Sequence, residues 1–253
     1  MPVAQGVQDA SAILPGVRIE AASALVTGAG RGIGRSIALR LAEAGAAVTL
    51  VSRTASELER LADEIRAGGG RALAHPGDVC DPALGAAAVA AARAAHGRLQ
   101  ILVNNAGVAS SARLEDTSDE EWERVLGTNL TAPFRLTRAA LPQLADGGGH
   151  VFMISSLAGR NPIAGLGPYC ASKAALDHMT ACLMLEVRQR GVKVTTIAPG
   201  SVQTAFGHRS REGADWMLQA DDVAQAVLDL LRARDAAHLS RVEMRPSRPQ
   251  PRD

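Results

Sequence analysis

The sequence predicts an α/β fold, a single domain whose doubly wound parallel sheet of about seven strands carries helices on both faces. Three observations predict it. Short apolar runs alternate with amphipathic or alanine-rich runs along most of the 253 residues. The apolar runs are near-continuous, as in strands buried on both faces. The first of them ends in TGAGRGIG, residues 27–34, a glycine-rich turn leading from strand to helix. Right-handed crossovers then give a Rossmann-type arrangement, with ligands gathered at the carboxyl ends of the strands.

The elements follow in order. ALVTG (24–28) is an apolar strand ending in the glycine turn. Ile33, Ile37, Leu41 and Ala44 recur at helical spacing after it, and Gly45 is the stop signal. AVTLVSR (47–53) is the second strand, and ASELERLADEIRAGGG is a helix closed by glycines. RALAHPGDV, LQILVNNAG, HVFMISS and VKVTTIAPG each read as a buried strand running into a polar or glycine-bearing end. Helices are expected between them, notably over 118–145 and 169–190, and LSRVEM is the last strand. The domain is expected over 21–245, between a loose arm (1–20) and a Pro- and Arg-rich tail (246–253).

Composition narrows the function. Lys and Arg total 27 against 26 Asp and Glu, so the basic excess of a nucleic-acid binder is missing. Aromatic residues are 2%, too few for base-stacking platforms. Cys80, Cys170 and Cys182 have no CxxC spacing, which suggests neither a disulfide framework nor a metal site. The arm lacks a basic start and an apolar core, and no apolar run reaches the ~18 residues of a membrane span. A cytoplasmic protein without membrane or nucleic-acid partners is the expectation.

The glycine turn misses G-x-G-x-x-G, because Ile33 stands where the last glycine belongs. Its context is nevertheless that of a dinucleotide site: Gly28 permits a tight turn, Gly32 lets backbone approach a phosphate, and Gly34 lets the helix pack on the sheet. The helix N-terminus offers unpaired N–H groups to a pyrophosphate.

Further motifs follow in a fixed order. Asn104, Asn105, Ala106 and Gly107 close a central strand; Asn129 sits in VLGTNLTAPF, Ser156 in ISSLAG, Tyr169 and Lys173 in YCASK, and Pro199 and Gly200 in APGSVQT. Tyr169 and Lys173, four residues apart, share a helix face. With T-G-AGR-G-I-G, these motifs and their spacings resemble the short-chain dehydrogenase/reductase family over residues 20–244, including bacterial members labelled 3-oxoacyl-acyl-carrier-protein reductases.

The resemblance implies a nicotinamide cofactor. The second strand ends at Ser52 and Arg53, with no acid at its tip to bind the adenosine ribose hydroxyls. Arg53 can meet a 2′-phosphate through charge-assisted contacts, Ser52 can add a hydroxyl, and Arg31 brings a second cation, so NADP(H) is expected over NAD(H). Asp78 and Val79 resemble the family's adenine-contacting pair, although an Asp before a turn is also an ordinary cap. Asn104, Asn105, Ala106 and Gly107 would line the adenine and ribose side and steady the central sheet. Pro199 to Thr204 resembles the segment that holds the nicotinamide, with the Val202 backbone and the Thr204 hydroxyl on the carboxamide.

The implied reaction interconverts a ketone or aldehyde and an alcohol. Tyr169 would be general acid or base, favoured as phenolate by the Lys173 ammonium together with an oxidised nicotinamide. Lys173 would also bind the nicotinamide ribose, Ser156 the substrate oxygen, and Asn129 a water extending a proton relay. Residues 204–221 should form the substrate loop, with His208, Arg209 and Arg211 as cations for an acidic substrate or, more simply, solvated charges. Trp216 and Met217 could wall an apolar pocket or simply pack the following helix, and packing is the favoured expectation. The family's carboxyl-terminal glycine pair is missing from HLSRVEMRPSRPQPRD, but a homodimer or homotetramer through 118–145 and 169–190 is still expected. Alternatives remain: a 3-oxoacyl thioester reductase specifically, a silent NADP-binding regulator, or a nucleotide-sugar epimerase or dehydratase, for which the chain leaves little room.

Overall fold

A computed structural model describes residues 17–204, 206 and 214–248. Seven strands form one parallel sheet in the order β3-β2-β1-β4-β5-β6-β7. They are β1 (Ser23–Thr27), β2 (Ala47–Ser52), β3 (Arg71–Pro76), β4 (Leu99–Asn104), β5 (Gly149–Ile154), β6 (Val192–Pro199) and β7 (Arg241–Met244). The order reverses between β1 and β4, which pair with each other. Their carboxyl ends therefore diverge into the crevice where such sheets bind ligands.

The period-two alternation of side chains splits the core into two layers. Ala24, Val26, Val48, Leu50, Ile101 and Val103 face α1 (Gly32–Glu43), α2 (Ala55–Ala67) and α7 (Ala220–Leu231). Leu25, Val51, Leu99 and Leu102 face α3 (Leu84–His96), α5 (Ala132–Leu144) and α6 (Gly167–Val187). Each buried Leu, Ile or Phe stabilises the fold by about 1.5–3 kcal/mol relative to exposure. Among the described residues, no helix is long and apolar enough to cross a membrane.

Three expected elements differ in detail. The helix expected over 118–145 is broken into α4 (Asp119–Leu126), a π-helical turn (Gly127–Thr131) and α5. Ser118 caps α4 by accepting from the Glu121 N–H at 3.2 Å. The helix expected over 169–190 starts two residues earlier, at Gly167, and tightens into a 3-10 turn at Arg188–Arg190. The last strand shrinks to Arg241–Met244, because side chains replace ladder bonds before it. The Val194 N–H donates to the His238 ring at 3.0 Å, and the Thr195 hydroxyl donates to the Leu239 carbonyl at 2.7 Å. Residues 1–16, 249–253 and His208, Arg209 and Arg211 lie outside the described residues.

Candidate active site

The ends of β1 and β4 are stapled together by two polar side chains. The Thr27 hydroxyl accepts from the Asn105 and Ala106 N–H groups, both at 3.0 Å. The Asn105 amide donates back to the carbonyls of Thr27 (2.9 Å) and Gly28 (3.3 Å). Gly28 has φ +65°, a left-handed conformation that disfavours any side chain. At Gly34 a β-carbon would strike the Gly28 carbonyl and the Asn105 amide, so α1 can begin this close to the sheet only on glycine. No side chain caps the start of α1 and no acid lies in its first turn. Its N–H groups and dipole are left for an anionic ligand.

From this turn a cleft of about 1490 Å³ runs across the carboxyl edge of the sheet. One end is lined by Gly28, Arg31, Gly32, Ile33, Ser52 and Arg53. Asp78, Val79, Asn105, Ala106 and Gly107 line its middle. Ser156, Tyr169 and Lys173 stand at the other end, with Pro199, Gly200, Val202 and Thr204 along one wall. Three expected site residues do not line it: Gly34, packed behind the turn; Asn129, fully buried; and Asn104, buried with its amide donating to the Thr137 hydroxyl at 3.0 Å.

The wall segment is held from outside. The Gln203 N–H donates to the Leu218 carbonyl at 2.8 Å, and the Leu218 N–H to the Ser201 carbonyl at 3.0 Å. This pairing brings Trp216 and Met217 into the cleft lining, the alternative that the sequence left open beside the favoured helix packing. Thr204 faces the glycine turn across the cleft: a β-carbon on Gly32 would lie 3.4 Å from its methyl.

Ser156 ends the strand-to-turn passage after β5 and accepts from the Ala158 N–H at 3.1 Å, which fixes its backbone. Tyr169 and Lys173 project from the first turns of α6. The Lys173 ammonium donates to the Ile154 carbonyl at 2.8 Å and lies 5.8 Å from the Tyr169 ring centroid. Burial pushes Lys173 down to about 8, with the Asp177 carboxylate opposing that fall. Burial also pushes the Tyr169 phenol up, against a hydrogen bond with Ser156. In the protein alone, then, desolvation governs the tyrosine more strongly than the lysine does.

Asn129 sits in the π turn. Its amide donates to the Val108 carbonyl (2.9 Å) and the Ser172 hydroxyl (3.0 Å) and accepts from the Val108 N–H (2.8 Å). Ser172 donates in turn to the Tyr169 carbonyl at 2.7 Å. Asn129 thus ties the loop after β4 to the helix that carries Tyr169.

Asp78 behaves as the cap that the sequence allowed, its carboxylate accepting from the Cys80 N–H at 2.9 Å. Glu57 was not expected. It lines the cleft beside Ser52, and a β-carbon on Gly30 would meet its carboxylate. Its one signal, Thr54-x-x-Glu57, reads as a local capping box, yet no side chain caps α2. Ser110 was also missed; its hydroxyl is buried in the cleft lining without a partner among the described residues. Among the described residues no three His, Cys, Asp or Glu side chains gather to hold a metal.

The family model for short chain dehydrogenase matches residues 22–215. The chain belongs to the short-chain dehydrogenase/reductase family. It is 41% identical over 188 residues, 74% of this chain and 75% of the relative, to the 2,5-dichloro-2,5-cyclohexadiene-1,4-diol dehydrogenase LinX of Sphingobium indicum. A metagenomic short-chain oxidoreductase solved with NADP is 37% identical with TM-score 0.81, over 91% of this chain and all (100%) of the other. A short-chain dehydrogenase of Burkholderia cenocepacia, also solved with NADP, is 32% identical with TM-score 0.82, over 90% of this chain and 97% of the other. As a family member, this chain is an oxidoreductase with the family's parallel α/β sheet.

The buried lysine makes stability depend on pH. Between about 8 and the ordinary lysine value of 10.5, the unfolded chain binds a proton that folded Lys173 has released. Stability from Lys173 therefore rises with pH through that window. Denaturant midpoints of the wild type should climb from pH 8 to 10 relative to Lys173→Met, and parallel profiles would refute the burial of its charge.

Proposed function

We propose that the protein is an NADP(H)-dependent reductase and dehydrogenase that interconverts a carbonyl compound and its alcohol. The observation that carries this reading is the convergence of Ser156, Tyr169 and Lys173 at one end of a cleft whose other end is an uncapped glycine turn. When bound, the nicotinamide supplies or accepts the hydride. The substrate oxygen accepts hydrogen bonds from the Ser156 and Tyr169 hydroxyls, which orient the carbonyl. Tyr169 gives its proton to the forming alkoxide in reduction and takes it back in oxidation.

Lys173 has two tasks: it holds the nicotinamide ribose hydroxyls and, as a cation, favours the phenolate. Its value of about 8 also lets it exchange a proton near neutral pH. Asn129 spends both amide donors on protein, so a relay water beside it would be held by a carbonyl, that of its side chain or of the backbone. A π turn frees a carbonyl for that purpose. The Val202 backbone and Thr204 hydroxyl suit a carboxamide, and Asn105 to Gly107 with Asp78 and Val79 suit the adenosine half.

Arg31 and Arg53 take part in no ion pair among the described residues, and the buried Ser52 hydroxyl has no partner there. A 2′-phosphate would pair with both guanidinium groups, and with the Ser52 hydroxyl once that side chain turns outward. Two of the solved relatives bind NADP. Glu57 works against this by placing a carboxylate at the same end. Exposed Trp122, Phe134 and Leu185 on α4, α5 and α6 favour an oligomer through those helices. A soluble, cytoplasmic enzyme acting on a small carbonyl or acyl thioester completes the reading.

NADPH and NADH oxidation against ketones, diketones, keto esters and 3-oxoacyl thioesters tests it. Turnover with NADPH is expected, and a tightly bound cofactor with no turnover across the panel would favour the silent regulator. Tyr169→Phe should keep cofactor binding and lose most turnover, by about a hundredfold or more; near-normal rates would overturn the acid assignment. Arg53→Ala should weaken NADPH about tenfold or more, with little effect on NADH. Glu57→Gln should shift preference further toward NADPH, and equal effects on both cofactors would sink the phosphate contact.

A further inference from the structure

One turn beyond Lys173 on α6, Asp177 is gripped by a residue far away in sequence. The Arg241 guanidinium of β7 donates to its Oδ2 at 2.7 Å, and the two side chains are 12% (Asp177) and 19% (Arg241) exposed. A β-carbon on Gly159, in the turn that follows Ser156, would lie 2.8 Å from the same Oδ2 and 3.1 Å from the Lys173 carbonyl. The pair thus joins the catalytic helix, the serine-bearing turn and the last strand. Its remaining atoms, Asp177 Oδ1 and Arg241 Nη2, are buried without partners among the described residues. A half-satisfied buried ion pair is a poor device for stability.

We propose, resting on the catalytic reading above, that Asp177 and Arg241 are a positioning pair for the Tyr169–Lys173 unit. Asp177 stands one helical turn after Lys173, outside direct ion-pair contact with it, and adds its field to the ammonium from there; Arg241 fixes the carboxylate and offsets part of its charge. The carboxylate favours the ammonium, which burial disfavours. Among the described residues, few other charges stand on the elements around this place. On α6 they are Tyr169 and His178, and on the serine turn Arg160. On β7 Glu243 accepts from Arg241 at 3.3 Å and pairs with Arg160 at 3.5 Å, and Arg245 follows, 3.1 Å from Glu243.

The chain has two lysines, Lys173 and Lys193, so each can be titrated by NMR in the full-length protein labelled at the lysine ε-carbon, without cofactor. Lys193→Arg assigns the signals. Asp177→Asn should move the Lys173 midpoint down, and Arg241→Met should move it up, each on the order of one pH unit. Lys193 should stay in place in both. Arg241→Lys, which keeps the charge, should restore the wild-type midpoint and decides the matter should Arg241→Met not fold. An unmoved midpoint in Asp177→Asn, or shifts of the same sign in Asp177→Asn and Arg241→Met, would overturn the pair. Wild-type turnover on the carbonyl panel is scored separately. Turnover with unmoved lysine signals removes the pair alone, and shifted signals without turnover remove the reductase reading alone.

Discussion

The Lys173 ammonium lies in a place that opposes its charge, donating to the Ile154 carbonyl at the end of β5. Holding a cation there costs stability, and the surrounding structure is what keeps it in place. The sheet fixes the carbonyl, α6 fixes the lysine stem, and the β4–π–α6 chain through Val108, Asn129 and Ser172 fixes the helix against the strand ends. In return the site gains a group whose proton is loosely held near neutral pH, a few ångströms from a tyrosine. Neither the helix nor the strand alone could produce that state.

At the opposite end of the cleft the governing constraint is steric. Gly28 and Gly34 let α1 start against the β1–β4 junction, and the Thr27–Asn105 staple keeps that junction from opening. The uncapped N-terminus of α1 is a by-product of this close approach. Charges of both signs line this end of the cleft, Arg31 and Arg53 on one side of the balance and Glu57 on the other.

Much of this is legible in the sequence because it is local. Near-continuous apolar runs gave the strands, glycines gave the turn, and four-residue spacing put Tyr169 and Lys173 on one face. What escaped is what depends on distant partners. Glu57 looks like a capping residue until the fold brings it to Gly30. Asn129 and Ser172 are 43 residues apart in sequence, and Asp177 and Arg241 are 64 apart. Trp216 and Met217 reach the cleft through backbone pairing of the 201–203 and 216–218 segments, which no periodicity reports. The π turn at Gly127–Thr131 likewise lies inside a segment that the sequence reads as one helix.

The central claim is that Tyr169 becomes an accessible base when an oxidised nicotinamide adds its positive charge to that of Lys173. Tyr169 is the one tyrosine in the chain, so phenolate absorbance reports it alone. Titrating that absorbance with and without NADP⁺ is the most direct measurement. The Tyr169 midpoint should lie above the ordinary tyrosine value in the protein alone and fall toward neutrality on adding NADP⁺. A midpoint that saturating NADP⁺ leaves unmoved would contradict it.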